Sequence, residues 1–234
     1  MKRHALILAI STALLAVINP LNAQAAVYDA TADFSVINNN PNGVWSYGWD
    51  PADAAGAYTF TAFDQVSGSG WQTSSHNILG TPGIWKNISG STAYGVAPGQ
   101  LSLHPAEDQF SLANDNAAIL RFTASISGTY NVSAQFFAGD SGDTLAWVVK
   151  NNAFSSALAS LGSTGSNPTY ATNNLLLQAG DTLDFVVGNS SDNLWSDNTP
   201  VSVTISAAVP EPETYALMLA GLGLVSFAAR RRRV

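Results

Sequence analysis

Ala117–Phe137 reads AAILRFTASISGTYNVSAQFF, and its alternation decides the fold class. Leu120, Phe122, Ala124 and Ile126 share one parity, and after Ser127-Gly128 the residues Tyr130, Val132, Ala134 and Phe136 resume it. Successive side chains of a strand point to opposite faces, so period-two alternation around a Gly turn predicts a half-buried hairpin. The same style recurs in DTLAWVVKNN (Asp143–Asn152), NNLLLQAGDTLDFVVGN (Asn173–Asn189) and VSVTISAAV (Val201–Val209). In the second of these, Ala179-Gly180-Asp181 reads as a turn between two strands, and Leu183, Phe185 and Val187 share a face. No stretch of residues 26–209 sustains a 3.6-residue period; AFSSALASLG (Ala153–Gly162) is open between a short helix and a loop. Many short strands punctuated by Gly, Asn, Asp and Pro predict an all-β fold, an antiparallel β-sandwich or jelly roll. Long loops are expected between Ser67 and Gly99, which is rich in Gly, Ser and Thr.

The two ends differ from this middle. Lys2 and Arg3, the apolar run Ala5–Ile18 and the small residues of Ala23-Gln24-Ala25 form a secretory signal pattern over residues 1–25, with cleavage expected near Ala25 or Ala26. Residues 26–209 then form the sandwich domain, long enough for one core. Of the chain's 16 acids and 9 bases, 14 acids and only Lys86, Arg121 and Lys150 fall in that middle, a balance of about −11. Phosphate binding needs clustered Lys and Arg, so the balance argues against nucleic acid as a partner and equally against docking on anionic lipid. The chain has no cysteine, which excludes disulfides, thiol catalysis and cysteine metal sites.

Enzymatic chemistry finds little support in the spacing. His76 and His104 have no second ligand at H-x-x-x-H spacing, and no G-x-S-x-G elbow occurs. Glu107 and Asp108 are adjacent and on a strand would point apart, so they do not form a glycosidase pair. A hydrolase built on His104 or an Asp pair stays a minor alternative. No catalytic residue is assigned.

Aromatic residues carry the binding expectation. PNGVWSYGWD (Pro41–Asp50) sets Trp45, Tyr47 and Trp49 at i, i+2 and i+4, one face of a strand. Such a face either packs into the core, the commoner outcome, or stacks on sugar rings. Trp71, Trp85 and Trp195 stand in Gly-, Ser-, Asn- and Asp-rich surroundings that read as loops, and SSDNLWSDNTP around Trp195 has the most polar context. Trp45, Tyr47, Trp49 and Trp195 are therefore the carbohydrate-contact candidates. Asp140 and Asp143 in GDSGDT, and Asp192 and Asp197 with Asn193, are oxygen-rich enough for calcium, although turn chemistry explains them equally. No other cofactor is expected.

The tail, VPEPETYALMLAGLGLVSFAARRRRV, opens with Pro210-Glu211-Pro212, continues through an uncharged run from Thr214 to Ala229 and ends in Arg230, Arg231, Arg232 and Arg233 before Val234. As a helix that run spans ~24 Å, short of a ~30 Å hydrocarbon core that flanking arginines reach by snorkelling. The positive-inside rule keeps the arginines cytoplasmic. Val209–Val234 resembles the PEP-CTERM sorting signal. That resemblance implies recognition by exosortase, removal of the tail at a bond the sequence does not fix, transient anchoring in the inner membrane of a Gram-negative bacterium, and delivery to the cell surface or polysaccharide matrix. The middle is more loosely similar to a jelly-roll-like domain of exported bacterial proteins, through FSVINNNPNGVWSYGW, SLHPAEDQFSLANDNAAILRFTASISGTYNVSAQFFAGD and AGDTLDFVVGN. The leading expectation is an exported, non-enzymatic matrix or surface protein that contacts extracellular polysaccharide; a self-associating structural protein without a glycan site is the alternative.

Overall fold

A computed structural model of the chain describes residues 25–51, 58–75, 81–106, 116–140, 142–190, 196–207 and 212–231. The signal pattern of residues 1–24 lies outside them. In chain order the strands are β1 (Val27–Asp29), β2 (Trp45–Trp49), β3 (Thr61–Ala62), β4 (Gln65–Ser67), β5 (Gly70–Gln72), β6 (Gly83–Lys86) and β7 (Leu101–His104). They continue with β8 (Ala118–Thr123), β9 (Gly128–Phe136), β10 (Thr144–Lys150), β11 (Ala159–Ser163), β12 (Thr169–Leu177), β13 (Thr182–Asn189) and β14 (Thr199–Ala207). One sheet runs β12-β9-β14-β7-β6-β5-β4, with β1 also on β14; the other runs β11-β10-β13-β8-β2-β3. All pairings are antiparallel. The expected all-β sandwich is the architecture found.

The hairpin expected at Ser127-Gly128 does not form. β8 pairs with β13 and β2, whereas β9 pairs with β12 and β14, so the turn carries the chain from one sheet to the other. The alternation is nevertheless real, because both strands turn their apolar parity into the space between the sheets. Phe122 meets Tyr130 and Tyr28 across that space with ring centroids 5.9 and 5.3 Å apart, and Trp45, its neighbour on β2 of the same sheet, at 5.5 Å. Leu120, Phe122, Tyr130, Phe136 and Phe185 are fully buried there. Ile126, expected on the same face, is 58% exposed, since it belongs to the bend and not to a strand. Ala179-Gly180-Asp181 likewise links strands of different sheets, β12 and β13. The open stretch Ala153–Gly162 resolves into a 3₁₀ turn, Phe154–Ser156, followed by β11.

The second sheet has a covered outer face. Ala117, Ile119, Trp147, Val149 and Val186 cluster there, with Tyr58, Phe60 and Phe154 packed over them. Arg121 lies on that face: its Nε and Nη2 donate to the two oxygens of Asp184 at 2.6 and 2.7 Å. The Tyr58 hydroxyl donates to Asp184 Oδ2 at 2.9 Å, and Arg121 also donates to Asn152.

A short helix, α1 (Ala30–Asp33), is capped by the Asp29 carboxylate, which accepts from the amides of Thr31 and Ala32. The tail forms α2 (Pro212–Arg231), which includes Pro212 and Arg230; Pro210, Glu211, Arg232 and Arg233 lie outside the described residues. Pro212 opens the helix at the position where its missing N–H costs nothing. Met218, Leu219, Leu222, Leu224 and Val225 are exposed on α2. Among the described residues no helix is long and apolar enough to cross a membrane. The expectation of a membrane-spanning tail helix is corrected accordingly: Glu213, Arg230 and Arg231 fall within the helix, and Gly and Ala dilute its apolar run.

Candidate ligand cleft

Ile84 of β6 pairs with Trp71 of β5 and Leu103 of β7, and all three are buried in the core. Strand alternation then turns Gly70, Gln72, Gly83, Trp85 and His104 to the opposite face. Gly70 lies directly beside Trp85, where an added Cβ would come within 2.7 Å of the Trp85 Cβ. Glycine there leaves room for the indole. With loop residues Thr81, Tyr94, Asp140, Ser196 and Asn198, this face lines a cavity of about 590 Å³.

The indole of Trp85 is held in place by a two-step relay. Its Nε1–H donates to Asn198 Oδ1 at 2.8 Å. Asn198 in turn donates from its backbone N and its Nδ2 to the two Asp140 oxygens, at 3.0 and 3.3 Å. Tyr94 stands against the indole edge-on, 6.3 Å away at 80°, and is 74% exposed. It occupies the left-handed region at φ 51°, uncommon for an aromatic residue, and Gly95 follows at φ 72°. A side chain at Gly95 would collide with the Gly139 backbone, and one at Gly139 with the Asn198 carbonyl. Close backbone packing of this kind locks the three loops that wall the cleft.

His104 Nδ1 lies 2.6 Å from the Pro105 carbonyl oxygen, which only accepts, so Nδ1 carries the proton and Nε2 of the neutral ring is an acceptor. Burial pulls the His104 pKa below its ordinary value, with the Pro105 bond and the Asp140 charge offsetting part of that. This hydrogen bond thus goes to backbone and not to the serine or carboxylate of a hydrolase constellation. His76, Glu107 and Asp108 lie outside the described residues.

The aromatic stripe of β2 is core, not a contact surface. Trp45, Tyr47 and Trp49 are 1%, 0% and 6% exposed and belong to the cluster between the sheets. Trp45 Nε1 donates to Asp33 at 3.0 Å, Tyr47 packs on Phe34 at 5.0 Å, and burial pushes the Tyr47 phenol up to about 12. They share one face as expected, but that face points inward because β5 and β6 of the opposite sheet close over it. Trp71 and Trp85 stand on strands instead of loops. Trp71 faces the core and donates to the Ser35 carbonyl at 2.9 Å, whereas Trp85 has the outward parity. Trp195 lies outside the described residues. The sequence reading missed Tyr94 altogether; an aromatic residue directly before Gly in a polar turn was the available signal.

Among the described residues, the calcium candidates are not brought together as a set of ligands. Both Asp140 oxygens accept from Asn198, and Asp143 Oδ1 accepts from Ser163 Oγ at 2.5 Å. Asp197 is buried beneath the Gly142 backbone. Asp192 and Asn193 lie outside the described residues. Among the described residues no three acidic, histidine or cysteine side chains gather to hold an ion, and the Asp140 and Asp143 contacts are loop-bracing ones.

Residues 208–233 match the family model of the PEP-CTERM protein-sorting motif. The chain therefore carries the sorting signal of an exported protein processed by exosortase. No curated protein sequence matches the chain. Among solved structures it is similar to a Podospora anserina GH26-CBM35 β-(1,4)-mannanase, with 19% identity and a TM-score of 0.32 over 55% of this chain. The chain spans only 28% of that mannanase. It is also similar to a family 35 carbohydrate-binding module from an environmental isolate, with 17% identity and a TM-score of 0.32 over 64% of this chain and 98% of the module.

Proposed function

We propose that this chain is an exported, non-enzymatic protein of the cell surface or extracellular matrix that holds a polysaccharide in the cleft between Trp85 and Tyr94. The observation that carries the reading is the pair of aromatic rings set at a near right angle over a polar floor. A pyranose has an apolar C–H face and a rim of hydroxyls. It needs a flat polarizable surface for the first and convergent hydrogen-bonding groups for the second. Trp85 and Tyr94 offer the surface; Gln72, Thr81, His104 and Asn198 offer the groups. Because the Asn198–Asp140 relay fixes the indole before ligand arrives, little ordering cost falls on binding.

Delivery precedes this role. The N-terminal signal, residues 1–25, directs export and is removed. The apolar residues of the tail then engage the inner membrane of a Gram-negative cell until exosortase cuts near Pro210-Glu211-Pro212. Five large apolar side chains exposed on α2 suit a segment that meets a non-aqueous partner during that step. Mass spectrometry of the mature protein should show residues after this motif missing; a mature form ending at Val234 counts against the processing step.

Affinity electrophoresis through gels containing the producing organism's own extracellular polysaccharide tests the ligand. Wild-type protein should be retarded, and Tyr94→Ala, at an exposed position, should weaken retardation at least about tenfold, as loss of a contact worth ~1.4 kcal/mol does. Equal retardation of the two proteins would overturn the reading.

A further inference from the structure

We infer that the Trp85–Tyr94 cleft selects uncharged glycans and turns away polyanionic ones, an inference that rests on the polysaccharide reading above. Charge is the first reason. Residues 26–209 hold three basic residues, Lys86, Arg121 and Lys150, and each is engaged away from the cleft. Lys86 follows Trp85 on β6 and points to the opposite face, where Nζ donates to the Thr31 carbonyl at 2.7 Å. Arg121 lies on the other sheet, paired with the buried Asp184. Lys150 is paired with Asp181 at 3.1 Å and donates to the Leu176 carbonyl at 3.0 Å. Among the described residues, the cleft has the Asp140 carboxylate in its lining and no cation. A uronate, sulfate or phosphate entering it would bring like charge toward Asp140 and lose water with no partner in return, which is unfavourable on both counts.

Hydrogen-bond polarity is the second reason. Beside the hydroxyls and amides of Thr81, Gln72 and Asn198, the floor presents two groups that only accept: His104 Nε2, left with its lone pair by the Nδ1 bond to Pro105, and the Asp140 carboxylate. Acceptors need donors opposite them. A hydroxyl supplies one, whereas a carboxylate or sulfate group is acceptor-only. The same surface that excludes anions by charge therefore fits the hydroxyl rim of a neutral sugar. Affinity for such a ligand does not draw on long-range charge attraction, so it is insensitive to salt.

The test uses the full chain in affinity electrophoresis against mannan, β-glucan and galactan as neutral probes, and alginate, polygalacturonate and hyaluronate as acidic ones. The readout is the retardation lost on Tyr94→Ala, which removes any contribution of the tail arginines from the comparison. Expected is Tyr94-dependent retardation of about tenfold or more on at least one neutral gel, unchanged by a change of salt, and none on the acidic gels. Tyr94-dependent retardation on an acidic gel, equal to or above the neutral ones, overturns the charge selection while leaving the polysaccharide reading intact. Tyr94-dependent retardation on none of the six gels overturns the polysaccharide reading, and this inference with it. Ser67→Lys places a cation at an exposed position of the cleft lining. It should create acidic-gel retardation of about two- to fivefold, the range of a rim ion pair, and no gain would refute charge as the cause.

Discussion

Replacing Asp184 with Asn tests how completely Tyr58 and Phe60 seal the outer face of the second sheet. Asp184 is 0% exposed at its side chain and Arg121 is 12% exposed. The pair is bidentate at 2.6 and 2.7 Å, the Tyr58 hydroxyl donates to the same carboxylate at 2.9 Å, and the guanidinium lies 3.9 Å from the Phe60 ring centre. Burial and the Asp184 charge hold the Tyr58 phenol far above its ordinary pKa, so it remains a donor at any working pH. Removing one partner of a desolvated pair costs about 3–5 kcal/mol, much of it the burial of the charge left behind. Tyr58→Phe removes a single bond to a charged acceptor, about 1.5–3 kcal/mol. Arg121→Met combined with Asp184→Leu removes both charges together and should approach wild-type stability, because nothing ionic is then left unpaired. Equilibrium urea unfolding followed by tryptophan fluorescence measures all three, with Trp147 reporting from the same cluster. An Asp184→Asn loss below about 1 kcal/mol, the range of exposed pairs, would show the site open to water and refute the seal.

Three further outcomes follow from other parts of the molecule. His104 has a folded-state pKa below its unfolded one, so the unfolded chain binds the extra proton. Stability should fall as pH drops from the ordinary histidine range through the folded value, and His104→Gln should flatten that dependence in unfolding curves recorded between about pH 7 and 5. Gly95→Ala adds a Cβ both to a left-handed residue and against the Gly139 backbone; it should cost about 1–3 kcal/mol and loosen glycan retention, while unchanged retention and stability would show the loop free to move. Phe122→Ala should cost about 3–5 kcal/mol by opening the space between the sheets. Ile126→Asn, in the exposed bend, should stay within about 0.5 kcal/mol; a reversed order in thermal unfolding would contradict the cross-sheet placement.

Side-chain parity was legible in the sequence, but strand partners were not. Leu120, Phe122, Tyr130 and Val132 read as one apolar face, and all four do point into the space between the sheets, from opposite sides; yet a hairpin and a sheet-to-sheet crossing impose the same alternation on a single chain. Only the pairing of β8 with β13 and β2 separates the two, and that information resides in distant segments. The stripe Trp45, Tyr47 and Trp49 shows the same limit: its rings share a face, but which side that face meets depends on β5 and β6 of the opposite sheet arriving over it. Trp85 was hidden by brevity, since a four-residue strand flanked by Gly and Asn looks like a loop until Ile84 is known to pair with Trp71 and Leu103. Tyr94 depends on contacts among three loops, which no local pattern encodes. The tail was readable because sorting signals are recognised as linear sequence.

β14, the last strand of the sandwich, pairs with β9 and β7 and also carries β1, the first strand, on its far end. Its position makes the order of synthesis matter. Until Thr199–Ala207 is available, the first sheet lacks the strand that joins its halves, and β9 cannot complete its pairing by any local route. Contacts between distant segments form slowly because loop closure must precede them. Closure of the first sheet consequently waits on its most C-terminal strand. In this exported polypeptide the slowest contacts to form are therefore those that complete the sandwich.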